Sequence, residues 1–401
     1  MSALLKILLV EDHAFSRAAM AMWLEQQFEH VLQAADGLEA LDLLKAHPDV
    51  QILLTDWMMP NLDGLELCHQ ARALNRDRYL HIIVFTARTQ KEDLLRALQA
   101  GADAFVQKPV DLSELQVQLD VARRIIDLQE QAARRMAELT QARRQADQDL
   151  EAAGRIQRSI LPSTPPPLPG VRFAWSFESS SQVGGDMFDV VDLGEGKVGV
   201  YVMDVCGTGA HAALLAVSIG WTLSPSGILT TSASGGPRVA ASPADVTREL
   251  NRRFPVLSRS DQYFSFLYGV LDTRTRRLDY VRAGHPAPIG FTARGVHPLP
   301  LRAGPPLGVL SEAELEVESE DLALAPGDAV LFYTDGLLRA LGQMNRPACE
   351  EDLARFLEPL AGKGIQAAVD ALVWMARSAW PAGMEDDVAL VGFELTGPGE
   401  D

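Results

Sequence analysis

Over residues 1–111, short apolar runs alternate with segments whose apolar residues recur at three- and four-residue spacing. The runs are KILLVED (6–12), VLQAAD (31–36), QILLTD (51–56), HIIVFTA (81–87) and AFVQKP (104–109). The segments between them read as helices through about Gln27, to His47, over Leu65 to Leu74 and over Lys91 to Ala100. Near-continuous apolar strands separated by helices predict a five-stranded parallel sheet covered on both faces, a doubly wound α/β domain whose ligands sit at the carboxyl ends of the strands. The next stretch, 112–161, is rich in Ala, Gln, Arg, Glu and Asp, with Gly154 its only glycine before the prolines begin, and predicts a helical linker. Leu115, Leu119, Ala122, Ile126, Ala133 and Met136 keep a three-four spacing with Gln129 as a polar exception. Leu139, Ala142, Ala146, Leu150 and Ala153 resume it after a shift. Two readings stand, a coiled coil that dimerises the chain or a helix that docks on its own domains or breaks near Gly154. Continuous, it spans roughly 70 Å.

The proline-rich LPSTPPPLPG (161–170) ends that helix and marks a domain boundary. Residues 162–398 carry many alternating runs, among them VRFAWSFE, MFDVVDLG, KVGVYVMDV, YFSFLYGVLD, RRLDYVRAG, PAPIGFTA, LEVESEDLAL, DAVLFYTDG and DDVALVGFEL. Helical patterns interrupt them near 210–223, 243–257, 350–361 and 365–380. Strands in runs with a few helices between them predict an α+β domain, a central β-sandwich flanked by helices. The Ser/Gly-rich SPSGILTTSASGGPRVAAS (224–242) reads as a mobile loop.

Composition narrows the function classes. At 401 residues, with 47% apolar and 22% charged, the chain folds and exceeds what one core organises. A net charge of −18 disfavours nucleic acid and anionic membranes as partners. Three scattered cysteines without a CxxC pair offer neither a disulfide scaffold nor a zinc ribbon. With no membrane span and no signal-peptide pattern at the start, a soluble, cytoplasmic protein is expected.

In the first domain Glu11 and Asp12 end one strand, Asp56 another and Thr86 a third, and Lys108 precedes Pro109 at the end of the last. Carboxylates converging on one rim repel one another unless a hard cation such as Mg²⁺ neutralises them, and Asp56 is then placed as a nucleophile toward phosphorus. Lys108 and the Thr86 hydroxyl are suited to the phosphoryl oxygens. His13 reads as a helix-start residue, imidazole being a poor partner for Mg²⁺. The segments VED (10–12), TDWMMPNLDG (55–64), FTA (85–87) and AFVQKP resemble a response-regulator receiver domain of the CheY-like kind. The resemblance implies that Asp56 accepts phosphate from a histidine kinase or phosphotransfer protein. It further implies Mg²⁺ held by Glu11, Asp12, Asp56 and the Met58 carbonyl, with Thr86 and Phe105 as the switch pair.

Acids again end apolar strands in the second domain: VGGDMFD (183–189), VMDVCGTGA (202–210), LFYTDGL (331–337) and EDDVALVGF (385–393). Asp186, Asp204, Asp335 and Asp386 sit beside glycine or at a strand edge, where backbone can approach an ion. Two divalent cations would stabilise such a set and acidify a bridging water for attack on a phosphate ester. Together AGRIQRSILP (153–162), VGGDMFDV, DVCGTGAHAAL, AGHPAP (283–288), GPPLGV (304–309), YTDGL and DDVAL resemble the SpoIIE/RsbU branch of the metal-dependent protein phosphatase (PPM) superfamily. That resemblance implies a Mn²⁺- or Mg²⁺-dependent serine/threonine phosphatase. Asp186, Asp204 and the Val205 carbonyl would be ligands, with Asp335 and Asp386 completing the second metal's shell. Gly207-Thr208-Gly209 replaces a GHG turn, Pro286 an Asn and Ala389 a Thr, none of which removes a carboxylate. Asp386 is favoured over Asp387 as ligand, Asp189 is placed within reach through water, Cys206 is read as packing, and no arginine for substrate phosphate is assigned.

The chain is thus expected to be a two-component response regulator with a phosphatase output, dimeric through the helical linker and without nucleic-acid or membrane partners. By resemblance its substrate is a phosphorylated anti-sigma factor antagonist in a sigma-factor partner switch. The competing class is a catalytically inactive adaptor that binds a sigma factor or another regulator. A diguanylate cyclase is disfavoured because GGDMF has Met187 where an acid is needed.

Overall fold

The structure, a computed structural model, describes residues 5–74, 76, 78–87, 91–232, 238–255, 262–300, 302–345 and 348–397. The chain divides into two compact units, Met1–Arg144 and Gln145–Asp401. The first holds β1 (Lys6–Val10), α1 (Ala14–Leu24), β2 (His30–Ala34), α2 (Gly37–Ala46), β3 (Val50–Asp56), α3 (Gly64–Ala73), β4 (His81–Thr86), α4 (Lys91–Gln99), β5 (Ala104–Gln107) and the start of α5 (Leu112–Ile160). The strands pair in the order β2-β1-β3-β4-β5, every adjacent pair parallel. Side chains on both faces of β3 and β4 are buried, which is why these strands read as unbroken apolar runs. Leu41, Leu67, Cys68 and Ala97 of α2 to α4 pack on one face, and Ala21, Leu24, Leu115, Leu119, Ala122 and Ile126 of α1 and α5 on the other. The first four positions of the linker's apolar seam are therefore core of this unit. Asp36 and Asp63 cap α2 and α3 through backbone amides.

The second unit follows the end of α5 with β6 (Val171–Glu178), β7 (Asp186–Gly194), β8 (Lys197–Val205), α6 (Ala210–Thr222), β9 (Thr230–Thr231), β10 (Val239–Ala240), α7 (Pro243–Arg253), β11 (Phe264–Asp272) and β12 (Arg277–Ala283). Then come β13 (Ile289–Thr292), β14 (Gly295–Pro298), β15 (Glu320–Ala323), β16 (Ala329–Tyr333), α8 (Gly336–Asn345), α9 (Glu350–Leu357), α10 (Ile365–Ala379) and β17 (Val388–Leu395). Two antiparallel five-stranded sheets, β15-β12-β11-β8-β7 and β14-β13-β16-β17-β6, face each other. Alternation along the strands sorts the layers. Val198, Val200 and Val202 of β8 meet Val330, Phe332, Val391 and Phe393 between the sheets. Tyr201, Met203 and Val205 face α6 and α7, while Leu331 and Tyr333 of β16 face α8 to α10. The result is the flanked sandwich expected from the alternating runs.

Three local expectations differ. The stretch 224–242 is anchored rather than mobile at its described ends, since Ile228 and Leu229 are buried and β9 pairs with β10; residues 233–237 of it lie outside the described residues. LEVESEDLAL forms strand only over β15, because its acids alternate too densely to bury a face. Helix α8 was hidden behind the YTDGL motif, whose glycine suggests a turn. The expected end of the helix near 257 and residue 398 also lie outside the described residues.

Candidate active sites

In the first unit the carboxyl ends of β1, β3 and β5 bring the expected residues together. Glu11, Asp12 and Asp56 each offer an oxygen within 4.8 Å of the others, and theirs is the one acidic or His/Cys set of that kind among the described residues. Glu11 and Asp56 are buried and Asp12 is exposed. Asp56 is fixed from behind, its Oδ1 accepting from the Trp57 amide at 2.7 Å. Lys108 Nζ donates to Asp56 Oδ2 at 2.7 Å and to Glu11 Oε2 at 2.9 Å. Desolvation opposes the Lys108 ammonium, but the bonds to Asp56 and Glu11 outweigh it and raise its pKa. Thr86 is buried at the end of β4, and Phe105 is half-buried on β5 opposite Val84. Met58 follows Asp56 on the loop with its side chain exposed. His13 caps α1, its Nδ1 accepting from the Ser16 amide.

In the second unit the acids gather where both sheets end. Asp186 opens β7 and stands opposite Asp204 near the end of β8. Asp335 directly precedes α8 just beyond β16, and Asp386 and Asp387 precede β17, which pairs antiparallel with β16, so these three lie at one end of the second sheet. Asp186 is buried; burial, reinforced by Asp204 and Asp387, pushes its carboxyl well above the usual range against an opposing bond from Thr334. Burial and then Asp335 raise Asp204 to about 6, with a hydrogen bond to Asp186 opposing. Gly185 leaves the approach open: a Cβ there would lie 2.5 Å from the Val205 carbonyl and 3.3 Å from Asp204 Oδ1. The buried Asp186 and half-buried Asp204 carboxylates and the facing Val205 carbonyl are oxygen donors of the kind divalent ions take. No three of the acids approach within 4.8 Å of one another, a spacing wider than one ion's shell.

Asp386 and Asp387 have different surroundings. Asp387 is buried and its Oδ1 accepts from the Ser180 amide at 2.7 Å, Ser180 Oγ at 2.9 Å and Ser179 Oγ at 3.2 Å. Asp386 is half-exposed and holds Arg339 Nη1 at 2.8 Å through its Oδ2. Asp189 lies three residues beyond Asp186 on β7, so the pleat turns it to the opposite face from Asp186. The Cys206 amide bonds the Tyr263 carbonyl at 2.9 Å, holding the turn after β8.

Sequence reasoning missed three contributors. Thr334 is buried, donates through Oγ1 to Asp186 Oδ2 at 2.6 Å and accepts from the Ala389 amide at 2.9 Å, tying the two sheets at the site. Its signal was a hydroxyl before the Asp of YTDGL. Gln157 of α5 is buried and clamps the VGGD loop, donating to the Gly184 carbonyl at 2.8 Å and accepting from its amide at 3.2 Å. Arg339 bridges Asp335 and Asp386.

The family model described as Stage II sporulation protein E (SpoIIE) matches residues 194–396, half of the chain. The chain belongs to the SpoIIE family. The matched segment includes Asp204, Asp335 and Asp386, with Asp186 just before it. The response regulator receiver domain model matches residues 7–120 of this SpoIIE-family chain. Over 118 residues it is 36% identical to chemotaxis protein CheY1 of Helicobacter pylori (strain J99), across 29% of this chain and 95% of that protein. Over 194 residues it is 29% identical to phosphoserine phosphatase RsbP of Bacillus subtilis (strain 168), across 47% of this chain and 45% of RsbP. The chain thus spans less than half of RsbP's length. The SiaA-PP2C domain of Pseudomonas aeruginosa shares the fold at 19% identity and a TM-score of 0.50, over 63% of this chain and 98% of that domain. A receiver domain and a SpoIIE-type phosphatase domain are joined in one chain, the organisation of a response regulator with a phosphatase output. Among the described residues no helix is long and apolar enough to cross a membrane.

Proposed function

We propose that this SpoIIE-family chain is a response regulator, phosphorylated on Asp56 by a histidine kinase or phosphotransfer protein, whose second unit hydrolyses phosphoserine or phosphothreonine on a protein. The observation that carries the reading is the pairing of Asp186 with Asp204 on adjacent strands at the mouth of the sandwich, where burial opposes charge on both carboxyls and a cation would relieve that cost. In this reading Asp186, Asp204 and the Val205 carbonyl hold one Mn²⁺ or Mg²⁺, and Asp335 and Asp386 hold the second. Asp386 is preferred because its Oδ2 partner is an exposed guanidinium, whereas Asp387 Oδ1 is engaged by three serine donors. Such a pair of ions supplies acidified water and neutralises charge on phosphoryl oxygens. The chain's own groups do the rest: Thr334 orients Asp186, and Gln157 holds the backbone loop beneath it. In the first unit Glu11, Asp12, Asp56 and the Met58 carbonyl would hold Mg²⁺. Lys108 steadies Asp56 and is placed to follow the phosphoryl oxygens, with Thr86 and Phe105 responding to them.

The domains are proposed as 1–111, a linker over 112–161 that dimerises the chain, and 162–398. The substrate is proposed to be a phosphorylated anti-sigma factor antagonist, supported by the likeness to RsbP. The test is Mn²⁺-dependent turnover of a phosphoserine peptide by the full chain. Turnover is expected in the parent protein and a loss of more than about 100-fold in Asp204→Ala and Asp335→Ala. Folded protein with no turnover in any divalent metal would instead favour the inactive adaptor.

A further inference from the structure

The acidic set of the second unit is not uniformly short of positive charge. Among the described residues Asp186 and Asp204 have no side-chain cation bonded to them, whereas Asp335 and Asp386 share a cation that belongs to the chain. Asp335 immediately precedes α8, and four residues later one helical turn brings Arg339 back over it. Arg339 Nη2 donates to Asp335 Oδ2 at 2.8 Å, and Nη1 lies 2.8 Å from Asp386 Oδ2. One planar fork thus joins carboxylates from two distant segments, each nitrogen taking one oxygen. A guanidinium stays protonated throughout the physiological range, so it cannot be removed by titration and leaves only by exchange for another cation.

Exchange is open to it. The Arg339 side chain is 63% exposed, and those of Asp335 and Asp386 are 40% and 30% exposed, so these bonds compete with water and salt. Beside it lies a cleft of about 530 Å³ lined by Leu338, Gly342, Gln343, Trp380 and Glu385. There Glu385 offers a carboxylate that accepts from Gln343 Nε2 at 3.5 Å, an alternative seat for the displaced guanidinium.

We propose that Arg339 is a resident counter-cation of the Asp335–Asp386 half of the set, and that a divalent ion binds there only by displacing it. The inference rests on the phosphatase reading of this site. Its consequence is asymmetry: the Asp186–Asp204 half, to which no side-chain cation is bonded among the described residues, takes its ion first, and the Asp335–Asp386 half takes its ion more weakly. Arg339 is then a residue that sets the metal concentration at which the site fills, without touching the reacting atoms.

The experiment is calorimetric titration of the metal-stripped full chain with MnCl₂, comparing the parent with Arg339→Ala and Arg339→Lys, all three carrying Asp12→Asn and Asp56→Asn so that the acidic set of the first unit takes no ion, each checked by thermal melting. The parent is expected to show a tighter and a weaker class of site. In Arg339→Ala the weaker class should tighten about tenfold, the worth of the two exposed ion pairs that no longer compete, while the tighter class stays within about twofold. Arg339→Lys, which keeps the charge but loses the fork, should fall between them. Metal-free Arg339→Ala should melt below the parent and gain more from added Mn²⁺. Unchanged or weakened Mn²⁺ binding in a folded Arg339→Ala, or in Arg339→Lys should the alanine variant not fold, overturns the proposal and leaves the phosphatase reading standing. A parent that binds no Mn²⁺ in the second unit overturns both.

Discussion

At the scale of single residues, the least conspicuous group near the site has the clearest pH signature. His285 is buried, with Nδ1 2.6 Å from Ser265 Oγ and Nε2 2.9 Å from the Tyr333 carbonyl. A carbonyl only accepts, so Nε2 carries the proton and Nδ1 accepts from the serine hydroxyl. Ser265 stands opposite Asp204 on the neighbouring strand, and Tyr333 lies two residues before Asp335, so one neutral imidazole ties both sheets together beside the acids. Burial lowers its pKa to about 3, against an opposing bond from Tyr333. The unfolded chain takes up this proton below about pH 6.5 and the folded chain does not, so acidification favours the unfolded state. Stability from this group is full above the unfolded pKa and is lost as pH falls from about 6.5 toward 3, amounting to about 2 kcal/mol by pH 5. Unfolding of the second unit, followed by denaturant titration at pH 7 and pH 5, should therefore lose more stability on acidification in the parent than in His285→Gln. Equal losses would mean that the imidazole is not held neutral.

At the scale of elements, the end of α5 is as much part of the site as the strands are. A Cβ on Gly154 would lie 1.8 Å from the Gln182 carbonyl oxygen, a clash with backbone that no rotamer relieves. Gly154→Ala should therefore lift the helix from the loop that Gln157 clamps, lowering phosphatase turnover at least about tenfold while leaving phosphorylation of Asp56 intact. Amide exchange over residues 182–186 should rise in parallel; turnover and exchange at parent levels would show that the loop is held by other means. Gly154 was visible in the sequence, but as a place where the helix breaks, because composition gives a glycine's cost and not the backbone that approaches it. The same distinction separates what was legible from what was not. The aspartates announced themselves because each borders an apolar run, and strand ends in layered folds meet at one rim. Thr334, Gln157 and Arg339 act through partners far along the chain, and spacing carries no trace of such pairs. The seam of α5 left two readings open for a related reason: Leu115, Leu119, Ala122 and Ile126 have the period of a coiled coil, but the same period serves a helix covering its own sheet, which is what these four do.

At the scale of the whole molecule, the two chemistries are linked by one continuous helix that contributes to both units. Its first turns place Leu115, Leu119, Ala122 and Ile126 in the core beneath β1, β3 and β4, and its last turns place Gln157 against the VGGD loop. Between them Leu128, Met136 and Leu139 are exposed apolar positions on an otherwise polar helix. On the proposed reading, a phosphoryl group on Asp56 draws Lys108 from its bonds to Asp56 and Glu11 and engages the Thr86 hydroxyl, and Lys108 lies only a few residues before α5 begins. Such a change alters output only if it favours one of two states of that helix. Beryllofluoride added with Mg²⁺ to the full chain should therefore raise phosphatase turnover and shift the sedimentation coefficient together, and Asp56→Asn should abolish both responses. Fluorine resonance from bound beryllofluoride establishes occupancy independently. Full occupancy with unchanged turnover and unchanged sedimentation would mean that α5 joins the units without coupling them.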